Sequence, residues 1–579
     1  RPTTRRSAPE AMRGSTHPGN RRAHALAWLL VLLMGVPLLA STAGAIAAGW
    51  SPSAWSDLIG DPQLPWAVAL TLWSGVVSSV LSVLVCRALL SSTFASRAWP
   101  AMVRTLSPML AMPHVAFAIG LAFLISPGGW LLRAVSPWAT GLQSPPPWLT
   151  TQDPWGLGLI AVLVAKEVPF LLWAATTVLQ RPDVAQRHRR ELQIAHSLGY
   201  SHQRAWRLVL WPQLWPRLHW PMLAVLVYSL TVVDMALVIG PTSPPTLAVL
   251  AWQWLLDADA SRNAQGAAAA WLLAGMVIVA ATLAKALTGL SFLRDRWTSG
   301  QRGTASTRPH AAMGPAGAGI FSRASTWWHT FGAATLLAAP YLAVMLALAV
   351  GSVAGIWPFP ALLPRTLSLQ AWQSVASSAA TIGTTLTLAL SSALAGLIWV
   401  VAWLEWAPRQ WQALIQRIIY LPLLLPPVLW VVGVHGAALR AGLDASWLGV
   451  ALAHTLSSAP YVLIALSPAY TGFDNRLQRV TASLGHGRLV FLLRVKWPLL
   501  RAALASAFAI GFAVSVAQYL PTAFVGGGRI NTVSTEAITL AAGAQRSLTA
   551  AYAWLQWLLP VLVFALASHL GQPKRLTQS

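Results

Sequence analysis

Long stretches of apolar residues constrain this chain more than any other feature of its sequence. A helix needs about 20 mainly apolar residues to cross the hydrocarbon layer of a membrane. Because hydrocarbon offers no hydrogen-bond partner to the backbone, stretches of this kind favour α-helices. Twelve predicted spans follow: 25–48, 65–90, 101–126, 155–179, 219–240, 266–290, 331–356, 373–403, 414–435, 447–470, 501–524 and 548–570. We therefore predict an all-α transmembrane fold with about twelve helices.

The composition supports a membrane protein and argues against other classes. Only 9% of the residues are charged, and the mean hydropathy is +0.58, whereas an ordinary soluble domain has about 25% charged residues. The net charge of +24 raises the possibility of nucleic-acid binding. The basic residues, however, lie in short runs between the spans, as the positive-inside rule predicts, so we expect no nucleic-acid partner. The single cysteine, Cys86, excludes a disulfide framework, and we predict no metal site and no cofactor.

The distribution of basic residues predicts the orientation. If the N-terminus is cytoplasmic, the outside loops hold only six of the 39 Lys and Arg residues: Arg133, Arg262, Arg365, Arg440, Arg529 and Arg546. This bias predicts a multi-pass protein of the bacterial inner membrane with both termini in the cytoplasm.

Arg21-Arg22 and the small residues at 40–43 would also suit a cleaved signal peptide. The apolar stretch 25–50 is longer than the usual core of such a peptide and favours an uncleaved span.

Matched motifs divide the chain into two halves around the polar segment 291–330. Four pairs occur in the same order: Thr71-Leu72-Trp73 with Thr384-Thr385-Leu386, Pro108 and Pro113 with Pro422 and Pro427, Pro169 with Pro460, and Ser197-Leu198-Gly199 with Ser483-Leu484-Gly485. Such order indicates an internal duplication. With six spans in each half, the copies are parallel and relate by an axis along the membrane normal. We predict a basic tail at 1–24, modules at 25–290 and 331–570, a cytoplasmic linker at 291–330, a tail at 571–579 and a substrate path between the modules.

A basic loop follows the fourth span of each half. The loops cover 181–218 and 472–501. The positive-inside rule explains their charge, but not their shared spacing of a glycine, twelve residues and a proline. Glycine can end a helix and turn the chain where we expect a side chain to clash, and proline suits the start of the next helix. Each loop is therefore predicted to form a compact helix–turn–helix.

These loops resemble the EAA loop of ABC importer permeases, Glu-Ala-Ala-x3-Gly-x9-Ile-x-Leu-Pro. The glycine, the aliphatic residue and the proline match in both copies, whereas Gln193 and Arg479 replace the glutamate and Glu191 lies two residues away. The resemblance covers the whole chain and implies two fused MetI-like permease modules, closest to a thiamine- and iron(III)-permease-like branch on the sequence at 511–528. It assigns the following residues to ATPase coupling: Ala195, Ser197, Leu198, Gly199, Val209, Pro212, Ser483, Leu484, Gly485, Val495 and Pro498.

The same resemblance implies the partners. They are a dimeric ABC ATPase on the cytoplasmic face, an external substrate-binding protein that selects the solute, and the lipid bilayer. The sequence contains no Gly-x4-Gly-Lys-Ser/Thr motif, so we expect ATP hydrolysis in a separate subunit and no enzyme activity in this chain.

Polar residues within the predicted spans are candidates for the translocation path, because such residues are costly in a membrane. Asp234 follows Pro212 at nearly the distance by which Gln518 follows Pro498, and both are candidates, with a buried structural role as the alternative. Glu167 is a third candidate, although pairing across helices is the role that we expect for it.

Two other classes of protein share some features of the permease. A twelve-span secondary transporter fits the number of spans, but it predicts ion-coupling charges at the midplane and no docking loops. A membrane-embedded enzyme needs a catalytic cluster. The 13 histidines form neither His-x3-His nor His-Glu-x2-His, so the sequence favours the permease.

Overall fold

The computed structural model describes residues 18–289 and 332–571, apart from 95, 409–410, 412–417 and 544. The predicted linker and most of both predicted tails lie outside these residues. The first half contains thirteen helices: α1 (Pro18–Ala48), α2 (Pro52–Gly60), α3 (Leu64–Thr93), α4 (Trp99–Ala111), α5 (His114–Ile125), α6 (Trp130–Val135), α7 (Leu157–Leu179), α8 (Pro182–Ser197), α9 (His202–Ala205), α10 (Trp211–Thr231), α11 (Asp234–Ile239), α12 (Leu247–Leu255) and α13 (Ala260–Gly289).

The second half repeats this order within its described residues. Its helices are α14 (Ala333–Ser352), α15 (Gln370–Ser377), α16 (Ala379–Trp406), α17 (Leu421–Leu424), α18 (Pro427–Arg440), α19 (Trp447–Thr471), α20 (Arg476–Ser483), α21 (Arg488–Phe491), α22 (Trp497–Leu499), α23 (Arg501–Ala517), α24 (Leu520–Gly526), α25 (Val533–Ala541) and α26 (Arg546–Gly571).

The helical, membrane-spanning class is confirmed. Among the described residues, nine helices are long and apolar enough to cross a membrane, and a tenth span is formed by a pair that bends by 75° between Leu499 and Arg501. The other two predicted spans correspond to α10 and to α18, the second of which is a shorter apolar helix. The structure is thus an all-α transmembrane bundle of roughly twelve spans.

The third predicted span of each half is interrupted at a proline. Pro113 is the N-cap of α5, and Pro426 is the N-cap of α18. The predicted match of Pro113 with Pro427 is therefore one residue off. The break in the first half leaves the Met112 carbonyl at the end of α4 without a helical partner. The Lys166 ammonium of α7 donates to this carbonyl (2.7 Å) and to that of Met109 (3.3 Å), which also accepts from the Met112 amide.

The fifth span of each half also breaks. Val233 and Tyr519 are the N-caps of α11 and α24, at equal distances from Pro212 and Pro498. By this register Asp234 corresponds to Leu520 and Gln518 corresponds to Val232. The predicted pairing of Asp234 with Gln518 is wrong by two residues, because the shared feature is the backbone break and not the polar side chain.

A threonine in the second span of each half holds the second helix after this break. The Thr71 hydroxyl accepts a hydrogen bond from the Leu247 amide at the start of α12 (2.8 Å). The Thr385 hydroxyl accepts from the Val533 amide at the start of α25 (2.9 Å). Thr71 therefore corresponds to Thr385, one residue from the predicted match with Thr384. The repeated bond supplies a partner to an amide that the helix itself leaves unpaired.

The two halves are interlocked through their first and third spans. Helix α1 packs against α18 of the second half, and α14 packs against α5 of the first half. Glycines allow both contacts, since Gly433 lies against the backbone of Ser41 and Gly120 lies against Val344. The signal-peptide alternative does not account for this packing, in which α1 also accepts a hydrogen bond from Trp399 through the Leu30 carbonyl (2.9 Å).

We expect Gly433→Ala to weaken this interlock. A Cβ atom at position 433 would overlap the Ser41 carbonyl, which is backbone and cannot rotate away. Overpacking of this kind costs about 1–3 kcal/mol, and thermal unfolding of the purified chain in detergent measures it. The matched control is Gly436→Ala in the same helix, where the added atom meets nothing within 4 Å. Equal melting temperatures for the two variants would contradict the close contact.

Candidate coupling loops and central polar residues

The first basic loop contains a sharp helix end at Gly199. Helix α8 stops at Ser197, and Gly199 adopts φ +82°. The Gly199 amide donates to the His196 carbonyl (2.9 Å), and the Tyr200 amide donates to the Ala195 carbonyl (3.1 Å). This pair of bonds is a Schellman motif, which satisfies carbonyls at a helix C-terminus and needs a residue with positive φ.

The second basic loop has the same helix end at Gly485. The φ angle of Gly485 is +78°. Its amide donates to the Ala482 carbonyl (3.0 Å), and the His486 amide donates to the Thr481 carbonyl (3.1 Å). Ser197 and Ser483 also correspond, since each hydroxyl donates to the carbonyl three residues earlier at 2.8 Å. The two loops therefore share one local geometry.

The reason for the glycines differs from the predicted one. A Cβ atom at Gly199 or Gly485 would meet nothing within 4 Å, so no clash requires glycine there. The positive φ requires it, because an L side chain in the left-handed region costs roughly 1–2 kcal/mol. The open space also shows that both turns face outward.

A widened helical turn precedes each proline. The π-helical turns cover Trp206–Leu210 and Leu492–Lys496, and each contains the half-buried valine of the motif, Val209 or Val495. Helices α10 and α22 then start with Pro212 and Pro498 in their first turn, where a missing N–H is tolerated. The sequence pattern located the prolines but gave no signal for the π turns.

Two aliphatic side chains beside each glycine are exposed. Ile194 and Leu198 are each 60% exposed in the first loop, and Val480 and Leu484 are 54% and 70% exposed in the second. Ala195 and Thr481, on the other face of the same helices, are buried. An apolar pair presented to solvent at the same place in two copies is typical of an interaction surface.

Glu191 holds the first loop to the span that follows it. Its carboxylate lies 2.9 Å from Arg187 Nε, from His188 Nδ1 and from Gln213 Nε2 of α10. Burial acts to raise the pKa of Glu191, but hydrogen bonds with His188, Arg187 and Gln213 outweigh it and keep the pKa below its ordinary value. The carboxylate therefore stays ionised and fastens α8 to α10.

The structure brings two of the three candidate path residues to one region between the halves. The Tyr228 side chain is within electrostatic range of Asp234 and Glu167 from the first half and of Tyr461 from the second. Asp234 also lies near Tyr519 of the second half. Gln518 is half-buried at the break before α24. Sequence reasoning missed the tyrosines, because an aromatic residue in an apolar span carries no distinguishing pattern.

Glu167 does not form the predicted pair across helices. It is 5% exposed and, among the described residues, its carboxyl has neither a hydrogen bond nor an ion pair. The neighbouring Lys166 is directed instead at the carbonyls of the broken third span. Adjacent residues point about 100° apart on a helix, so the side chains of Lys166 and Glu167 contact different neighbours.

A cavity of about 840 Å³ opens between the halves at the ends of the spans opposite the basic loops. Arg133 and Arg546 line it together with polar residues such as Gln370. Arg133 also joins the halves here, because it donates to the carbonyls of Trp357, Pro358 and Ala361 at 2.8–3.2 Å. The sequence placed both arginines in outside loops but did not indicate that they share a cavity.

Two interlocked helical repeats with matching basic loops define a permease of the ABC transporter class. In sequence, the chain is 35% identical over 543 residues to the inner membrane ABC transporter permease protein YnjC of Escherichia coli (strain K12), a match that covers 94% of this chain and 95% of that protein. The chain therefore belongs to the inner-membrane permease proteins of ABC transporters. No protein-family model matches it.

Partial relatives fall in the same class. A probable molybdenum ABC transporter permease of Haloferax volcanii is 28% identical over 165 residues, which cover 27% of this chain and 61% of that protein. The thiamine transport system permease protein ThiP of Brucella suis biovar 1 is 27% identical over 210 residues, or 34% of this chain and 37% of that protein. The predicted importer class is confirmed, and a secondary transporter is not favoured. Because these relatives are named for different solutes, they assign no substrate to this chain.

We expect Gly485→Ala to loosen the second loop without a steric clash. The strained φ should cost about 1 kcal/mol locally, which corresponds to roughly fivefold faster amide hydrogen exchange over 476–491. Gly487→Ala is the matched control, since that glycine has φ −75° and open space around it. If both substitutions left exchange unchanged, the left-handed conformation would not be what selects glycine.

Proposed function

We propose that this permease couples to a separate, dimeric ABC ATPase through the two loops at Gly199 and Gly485, on the cytoplasmic face. The observation that carries the proposal is the repeated exposed aliphatic pair beside a Schellman glycine. Two similar loops on two parallel repeats suit a partner that itself has two equivalent sites. Each loop leads through a π turn directly into the fifth span of its half, so movement at the loop has a short route into the membrane.

We also propose which parts of the chain lie on each side of the membrane and which residues the solute meets. The basic loops and both termini lie in the cytoplasm, in accordance with the positive-inside bias. An external substrate-binding protein delivers the solute to the opposite face, where the cavity with Arg133 and Arg546 lies between the halves. The solute then passes Asp234, Glu167 and Gln518 at membrane depth.

The docking role predicts that aspartate at both exposed leucines will weaken ATPase binding. Leu198→Asp combined with Leu484→Asp places charges in two apolar contacts, and we expect at least about tenfold weaker binding. The measurement is the affinity of the cognate ATPase subunit for the full-length chain in nanodiscs. Leu363→Asp is the control, because Leu363 is 61% exposed but lies on a loop at the opposite face. Undiminished binding by the double variant would contradict docking at these loops.

The path role predicts that Asp234→Asn will slow uptake. A carboxylate that meets the solute at membrane depth should contribute at least about tenfold to the transport rate. Uptake of the solute held by the cognate binding protein measures this effect in proteoliposomes that contain the assembled importer. Asp57→Asn removes an exposed carboxylate from α2 and serves as the control. A normal rate for Asp234→Asn would assign this residue a structural role only.

A further inference from the structure

The second coupling loop contains no acidic residue that corresponds to Glu191, yet a glutamate from another span contacts it. Glu405 lies near the end of α16, and its side chain is only 7% exposed. Its carboxylate accepts hydrogen bonds from Arg488 Nη2 (2.7 Å), from Lys496 Nζ (2.7 Å) and from the Tyr470 hydroxyl (2.8 Å). Arg488 and Lys496 belong to the loop, so one carboxylate joins the second span to the loop at two positions.

This contact is stronger than an ordinary surface ion pair. The Lys496 side chain is 10% exposed, and its ammonium lies 3.9 Å from the centre of the Tyr470 ring. Charges that are shielded from water attract each other more strongly than exposed ones, and removing one partner leaves the other unpaired. Arg488 adds a bond to the Glu405 carbonyl (2.7 Å), which fixes the backbone at the end of α16 as well.

The first half shares only the backbone part of this arrangement. When the halves are aligned on Thr71 and Thr385, Ser91 corresponds to Glu405. When they are aligned on Gly199 and Gly485, His202 corresponds to Arg488. His202 Nε2 lies 2.9 Å from the Ser91 carbonyl, as Arg488 lies near the Glu405 carbonyl. The carboxylate has no counterpart, because Ser91 and Leu210 occupy the positions of Glu405 and Lys496. The first loop is instead fastened to α10 through Glu191 and Gln213.

We propose that Glu405 is a positioning residue that makes the second coupling loop and α16 move as one unit. This inference rests on the proposed docking of the loops to an ATPase. Motion that enters at the second loop passes into the second span of its half as well as into the fifth, whereas Glu191 fastens the first loop to the fifth span, α10, alone. The two halves thus transmit the same event along different sets of helices, and the neighbouring span supplies the counterpart of Glu191 that the second loop lacks.

Distances between spin labels test this rigid unit in the full-length chain. Cys86 is the single cysteine, so Cys86→Ala gives a background for labels at Ile398 on α16 and at Arg479 in the second loop, both exposed. Labels at Leu84 and Gln193, the corresponding positions of the first half, form the matched control pair. In nanodiscs we expect Glu405→Gln to broaden the distance distribution between 398 and 479 roughly twofold and to leave that between 84 and 193 unchanged.

Two outcomes of the distance measurement would overturn the proposal. An unchanged distribution between 398 and 479 would show that Glu405 does not hold the loop, and equal broadening of both pairs would show a general loss of structure. If Glu405→Gln fails to assemble, Arg488→Gln tests the same link, because the Arg488 side chain is 45% exposed and the bond between Lys496 and Glu405 remains. Glu536→Gln, an acidic residue in the first turn of α25, is the control for loss of one carboxylate.

ATP turnover distinguishes positioning from a merely structural role. In the assembled complex, the native chain should show an ATP-dependent change in distance between labels at Leu84 and Ile398. Glu405→Gln should abolish this change while ATP hydrolysis stays within about twofold of native. A parallel loss of hydrolysis and distance change would indicate misfolding and overturn the proposal. Failure of the native chain to bind the ATPase would instead contradict the proposed function.

Discussion

Hydrocarbon cannot hydrogen-bond to a peptide group, and the rest of this structure depends on that constraint. Four of the spans are broken within the bundle, short helices start inside it, and the protein supplies partners for backbone groups at these helix ends. Lys166 donates to carbonyls at the break after α4. Thr71 and Thr385 accept from the first amides of α12 and α25. Each of these polar side chains is buried and would be costly alone, so each helix end and its side-chain partner require one another.

The interlock between the halves follows from the same need for close packing. Lipid tails are as apolar as aliphatic side chains, so burying such side chains gives helices in a membrane little reason to associate. Small residues favour association instead, because they let the two backbones approach closely. Gly120 and Gly433 occupy the same position in the two halves and let α14 and α1 cross onto the opposite half. As a result, neither module is a self-contained bundle. The central region around Tyr228 receives residues from both modules.

The two basic loops show how a duplicated structure acquires different connections. Their backbone geometry is the same down to the Schellman bonds at Gly199 and Gly485. Their ionic connections differ, since Glu191 ties the first loop to α10 and Glu405 ties the second to α16. When both sites are near the membrane surface, one ion pair can replace another at a modest cost in stability. A helix end with positive φ, by contrast, depends on glycine. The conformation is therefore repeated and the charges are not.

The sequence by itself determined the helical membrane class, the duplication and the two glycine turns, because these depend on local composition and spacing. It placed the third and fifth spans but not the breaks of the fifth at Val233 and Tyr519, and it misjudged three alignments by one or two residues. It also predicted that Glu167 pairs across helices, and among the described residues Glu167 has no such partner. Only the tertiary structure decided which helices cross between the halves and which acid holds each loop. Such contacts join residues far apart in the chain, and no pattern within a single span encodes them.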